Sequence, residues 1–183
     1  QYNLEDAAMK SKTWFTQQAL LLQRKRYTPN MLIKDTPSEL KARVLPGRLY
    51  MFQYDPKTKE QLPYYDRFPL VIPFRIESNG FYGINFHYLP YYMRIKLLDR
   101  LMVFATSQTL DEQTRLKLSY QTVAASARFA AIKPCVKMYL KSQMKSLYKE
   151  VPSYNWATAM LLPVERFRKA QKDIVWNESR KTG

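Results

Sequence analysis

The sequence predicts an α+β fold: a small SH3-like β-barrel or curled sheet over about residues 48–88, flanked by an N-terminal helix and a C-terminal helical bundle. Three observations carry that expectation. Residues 48–88 are rich in aromatic and β-branched side chains and contain Asn79-Gly80, a pair suited to the positive φ of a tight hairpin. From Pro90 onward the apolar residues recur at helical spacing. Residues 4–26 show the same helical spacing at the other end of the chain. The expected organisation is an N-terminal helix and proline-rich connection over 1–47, a β module over 48–89 and a basic helical region over 90–183, packed as one unit.

Taken in order, Leu4, Ala8, Phe15, Ala19 and Leu22 mark the first helix, which ends in the basic run Arg24-Lys25-Arg26. Pro29, Pro37 and Pro46 interrupt the next stretch, with room for a short helix around Pro37–Arg43 capped by Thr36. Leu49–Tyr54 reads as a strand turned by Asp55-Pro56-Lys57-Thr58, Phe68–Ile76 as a second and Phe81–Phe86 as a third. Gly83 inside the third marks a bulge or a close backbone approach. Helices are predicted over Tyr91–Thr106 and over Asp111–Phe129, the latter opened by two acids that suit a helix N-terminus. Three more are predicted at Pro134–Tyr148, at Ser153–Leu161 with Ser153 as N-cap, and at Pro163–Val175 with proline in its first turn.

The net charge is +15, and it is unevenly placed. Residues 44–89 carry five Lys/Arg against four acids, whereas 90–149 carry eleven against three. Self-repulsion of that kind costs folding free energy and answers to a polyanionic partner. Fourteen tyrosines and nine phenylalanines stand against four glycines, which argues against glycine-rich phosphate loops and for amphipathic contact surface. No apolar run reaches the length of a membrane span, so no membrane partner is expected. No signal peptide opens the chain at Gln1, and that residue leaves room for an upstream segment. The single cysteine, Cys135, excludes an internal disulfide, fits a reducing cytoplasm and reads as a small buried hydrophobe on a helix.

Lys133, Lys137, Lys141, Lys145 and Lys149 recur every fourth residue with no acid between them. On a helix they form a slanting ridge opposite Val136, Leu140, Met144 and Leu147, suited to phosphate contacts that add affinity without reading sequence. A solvated charged face is the plainer reading of such a run. Arg166, Arg168 and Lys169, with Lys172, form a second basic cluster that nearby acids dilute. Tyr54, Tyr64, Tyr65 and Phe68 belong to the most distinctive string of the chain. They are placed to stack on bases at a DNA end or to anchor a protein interface, or else simply to cover a small barrel.

Catalysis finds little support. His87 stands alone between aromatics as a packed structural residue, and no His/Cys cluster suits zinc. Asp66-Arg67 reads as an ion pair or turn. A metal-dependent nuclease built on Asp55, Asp66 and Glu77 would want a lysine soon after the last acid, where Ser78 and Asn79 stand instead. No catalytic residue, metal site or cofactor is therefore expected.

The runs Pro46–Lys57, Leu62–Leu70 and Gly80–Pro90, with Leu116–Tyr120 and Lys133–Lys137, resemble a family of T4-type tailed-bacteriophage virion proteins, the DNA end protectors. The resemblance spans roughly residues 46–181. It implies a non-enzymatic virion protein, present in the host cytoplasm during assembly, that contacts double-stranded DNA at the packaged genome's end and shields it from host nucleases. Its other partners would be phage structural proteins. The alternative is a structural tail, neck or baseplate component acting through protein interfaces alone. Salt dependence separates the two, because phosphate contacts weaken steeply with salt and apolar interfaces do not.

Overall fold

The computed structural model of the protein describes residues 40–105, 107–153, 156–161 and 165–181. The helix expected over 4–26 lies outside them. Where they begin, Leu40–Lys41 is a short strand, β1, followed by a bend, so the helix expected around Pro37–Arg43 does not continue into these residues.

Eight strands are described: β1, β2 (Leu49–Met51), β3 (Tyr65–Asp66), β4 (Leu70–Glu77), β5 (Gly80–Asn85), β6 (Val136–Leu140), β7 (Tyr148–Val151) and β8 (Phe167–Arg168). Six of them form one sheet in the order β1-β7-β2-β4-β5-β6, antiparallel at every pairing, while β3 and β8 form a separate ribbon. The fold is α+β as predicted, but among the described residues β1 and β6 remain edges and the sheet is not closed into a barrel.

Two of the six strands come from a region where the sequence predicts a helix. Over Pro134–Tyr148 the chain instead makes a 3-10 turn (Lys133–Cys135), β6, a second 3-10 turn (Lys141–Gln143) and the start of β7. The four-residue lysine spacing fits a helix, but five like charges at that spacing repel one another along it. Adding strands to β5 and β2 satisfies the backbone and buries Tyr139 and Tyr148 in the same step.

The hairpin between β4 and β5 is present, one residue earlier than Asn79-Gly80 predicts. Ser78 and Asn79 make the loop and Gly80 pairs with Glu77. Gly80 is required by close approach: a Cβ there would overlap the Tyr139 carbonyl of β6. Gly83 lies opposite the register shift between Pro73 and Arg75, where a Cβ would strike Val71, as a glycine at a bulge should.

The helices α1 (Tyr91–Ala105) and α2 (Glu112–Ser126) match their predicted spans closely. Asp111 caps α2, accepting the Thr114 N–H at 2.8 Å, so the acid acts as a cap as well as a favourable charge. A short α3 (Trp156–Leu161) begins three residues beyond Ser153. The helix predicted over Pro163–Val175 is displaced: β8 and a left-handed Lys169 (φ 70) come first, and α4 spans Lys172–Lys181.

Alternation along β2 explains two cores. Leu49 and Met51 point to one face, where they meet Leu70, Ile72 and Ile84 of the sheet and Leu97, Leu98, Leu101, Val123 and Met160 of the helices. Tyr50 and Phe52 point to the other, joining Tyr54, Val71, Phe81, Tyr139 and Tyr148. Phe52 sits at the centre of this aromatic cluster, edge-on to Tyr139 (5.2 Å) and Tyr148 (5.3 Å). The hydroxyls at its margin are used: Tyr50 accepts the Leu45 N–H at 2.9 Å and Tyr54 accepts the Leu140 N–H at 3.2 Å. Cys135 is buried as expected, on a 3-10 turn and not an α-helix, and burial pushes its thiol up to about 12.

Candidate nucleic-acid interface

The β3/β8 ribbon brings two sequence-distant candidates together. Tyr65 pairs with Arg168 and Asp66 with Phe167, while the Arg67 N–H donates to the Arg166 carbonyl at 3.0 Å. The left-handed turn at Lys169 carries its ammonium over the loop that precedes β3. There Nζ donates to the carbonyls of Lys59 (2.6 Å), Glu60 (3.2 Å) and Leu62 (2.9 Å), clamping the loop. The aromatic string and the C-terminal basic cluster thus share one surface, with Arg166 and Arg168 exposed along it.

Asp66 anchors the ribbon from inside. Its Oδ2 accepts from His87 Nδ1 at 2.6 Å and Asn85 Nδ2 at 3.1 Å, and its Oδ1 from the backbone N–H groups of Phe68 (2.9 Å) and Arg166 (3.2 Å). Burial alone would raise the carboxyl's pKa, but the His87 charge and these donors outweigh it and hold the group below the usual carboxylate range. The partner of Asp66 is therefore His87 and not Arg67. The His87 carbonyl in turn accepts from Arg94 (3.1 Å) and from the Trp176 indole (2.8 Å). Arg94 is wholly buried and donates as well to the carbonyls of Leu89 (2.7 Å) and Met160 (2.8 Å). Sequence reasoning passes over Arg94, whose acceptors lie as far away as residue 160 and leave no local pattern.

Beside the ribbon lies a cavity of about 350 Å³, walled by Tyr54, Tyr64, Tyr65 and Tyr88 with Lys57 and Lys137. Three of the four aromatics expected at an interface line it. The fourth, Phe68, is 2 % exposed and belongs to the hydrophobic core. The Lys137 ammonium sits 4.2 Å above the Tyr88 ring, and burial lowers its pKa. Asp66 is the acid of this wall, and its charge is already met by His87 and three N–H donors. Among the described residues the cavity therefore presents aromatic faces together with Lys57 and Lys137, a combination suited to planar bases joined by phosphates.

The other ridge lysines scatter, because the helix that would align them does not form. Lys145 follows Met144, the bridge partner of Tyr54, and its charge acts on Asp55 at the edge of the cavity. Lys133 is exposed on the first 3-10 turn, and Lys141 is exposed beside the β4–β5 hairpin, where it donates to the Ser78 carbonyl at 3.3 Å. Lys149 is 7 % exposed inside β7. Asp55, Asp66 and Glu77 are not assembled: Asp55 pairs with Lys59, Glu77 with Arg75 and Asp66 with His87. Among the described residues no group of three or more His, Cys, Asp or Glu side chains is placed to hold a metal ion.

Comparison with protein families supplies the deciding observation: the model of the phage T4 terminal DNA protecting protein family matches residues 6–179. The chain belongs to this family. The match takes in every element of the cavity and extends upstream of the region that carries the sequence resemblance. The terminal DNA protecting family ties the protein to bacteriophage and to DNA association. No curated protein and no solved structure matches the chain. Among the described residues no helix is long and apolar enough to cross a membrane.

Proposed function

We propose that this protein binds double-stranded DNA at the end of the packaged phage genome and shields that end from nucleases, as a non-enzymatic component of the virion. The observation that supports it best is that Tyr54, Tyr64 and Tyr65 share a cavity with Lys57 and Lys137 and that Tyr65 pairs with Arg168 beside it, in a chain whose family protects terminal DNA. In this reading Lys57, Lys137, Lys145, Arg166 and Arg168 meet phosphates, while Tyr64 and Tyr65 meet the terminal base pair. Lys169 holds the loop that presents them. The scaffold is read as SH3-like, supported by the 3-10 turn between β6 and β7 and by the Tyr54–Met144 bridge that leads the chain back toward β2. Exposed apolar side chains such as Leu147 and Ile174 are available to neighbouring virion proteins.

Competition between linear and circular duplex DNA of equal length, across a salt series, tests this reading. Linear DNA should win, with log affinity falling by about 0.9 per phosphate contact for each log unit of salt. Equal binding to both forms would remove the end preference. No binding to either at low salt would sink the DNA reading in favour of a purely structural tail, neck or baseplate role.

A further inference from the structure

A second groove, of about 450 Å³, lies where the outer face of α1 meets the turn after α2. Tyr92, Lys96 and Arg100 stand one helical turn apart along α1, and Phe129 faces them from the turn. Tyr92 is 61 % exposed and Phe129 56 %, the two highest values among the large apolar side chains that the described residues leave in solvent, and both line this one groove. Among the described residues its lining holds Lys96, Arg100 and Arg180 and no acid. Arg180 is fixed at its base, donating to the Trp176 carbonyl at 2.5 Å and to the Tyr88 carbonyl at 3.3 Å. Tyr88 therefore stands between the two sites: its ring walls the first cavity and its carbonyl anchors a wall of the second.

Two rings held in water at a place with three cations and no acid call for an anionic partner that carries flat apolar faces. An acidic peptide would meet the charge but leave the rings unused. The protein's own N-terminal 39 residues, six Lys/Arg against four acids, share the groove's sign of charge. We infer that the groove is a subsite for unpaired nucleotides of a DNA terminus, with bases stacked on Tyr92 and Phe129 and the phosphates between them met by Lys96 and Arg100. The inference rests on the end-binding function proposed for the first cavity and deepens it. The terminus held would be a duplex with a single-stranded tail, the duplex at the first cavity and the tail led past Tyr88 into the second groove.

The test uses the full chain and three probes: a hairpin duplex with a short oligothymidine tail, the same hairpin blunt, and a closed circular duplex. The tailed hairpin should bind more tightly than the blunt one. Tyr92→Ala with Phe129→Ala should erase that advantage, a loss of at least about fivefold, and leave blunt binding unchanged. Tyr92→Phe with Phe129→Tyr should retain it. Iodouracil placed in the tail should crosslink to Tyr92 or Phe129 on irradiation. Equal binding of tailed and blunt hairpins, or a tail preference that survives the alanine pair, overturns the subsite while end binding stands. Failure of the wild-type chain to bind any of the three probes overturns both.

Discussion

The His87 imidazole meets the Asp66 carboxylate at 2.6 Å, with both side chains buried and the pair joined to β5 through Asn85. This contact ties the β3/β8 ribbon, and so one wall of the aromatic cavity, to the main sheet.

Removing it should be costly. Asp66→Ala leaves the imidazole and three N–H groups facing an empty space, and a loss of about 3–5 kcal/mol is expected in chemical denaturation. The carboxyl is held below its usual range in the folded protein, so its contribution is present above the ordinary carboxylate value of about 4 and fades as pH falls through the lower folded value. Wild-type stability should therefore drop from about pH 4 downward, and Asp66→Asn should flatten that part of the curve. An unchanged acid limb in the variant would contradict the assignment.

Arg94 makes a similar case through main-chain carbonyls. Its guanidinium donates to three main-chain carbonyls from two segments and lies 4.8 Å from the Tyr91 ring. Lysine cannot reach three acceptors from one point, so Arg94→Lys should lose at least about 2 kcal/mol. Thermal melts that match wild type would show that these carbonyls find other donors.

Gly47 adopts φ +82, and a Cβ there would lie 2.7 Å from the Leu116 carbonyl of α2. Gly47→Ala combines left-handed strain with overpacking and should destabilise by about 2 kcal/mol or more. It lies outside the aromatic cavity, so any DNA binding measured well below the melting transition should be unaffected.

The lysines should separate by position. Lys145→Gln, on an exposed residue beside Asp55, should lower the salt slope of DNA binding by about 1. Lys149→Gln, inside β7, should change stability and leave the slope alone. Equal effects on the slope would revive the idea of a single lysine ridge.

Much of the fold is legible where local chemistry decides it. Asp111 announces α2, the Glu77–Gly80 turn joins two β-rich runs, and the spacing of Leu97, Leu98 and Leu101 marks the buried face of α1. Residues 133–149 mislead because lysine every fourth position coincides with a helical period, while Val136-Lys137-Met138-Tyr139-Leu140 also suits a strand. The choice falls to β5, whose open edge Val136–Leu140 completes, and no local pattern reveals a free edge. The site is legible in its residue types but not in its grouping. Tyr64, Tyr65 and Arg168 stand out singly, and it takes the β3/β8 pairing, across a hundred residues, to make them neighbours.

The order β1-β7-β2-β4-β5-β6 also bears on how the nascent chain becomes a protein. When the ribosome has completed α2, β4 and β5 can already pair, yet β2 still lacks β7 and β5 still lacks β6. Until Leu140 has emerged for β5 and Val151 for β2, strands carrying Phe81 and Tyr50 each keep a hydrogen-bonding edge open to other chains. Products of premature termination before residue 136 should accordingly be found in inclusion bodies or in the hands of proteases. Synthesis through Val151 is the step that covers these two edges.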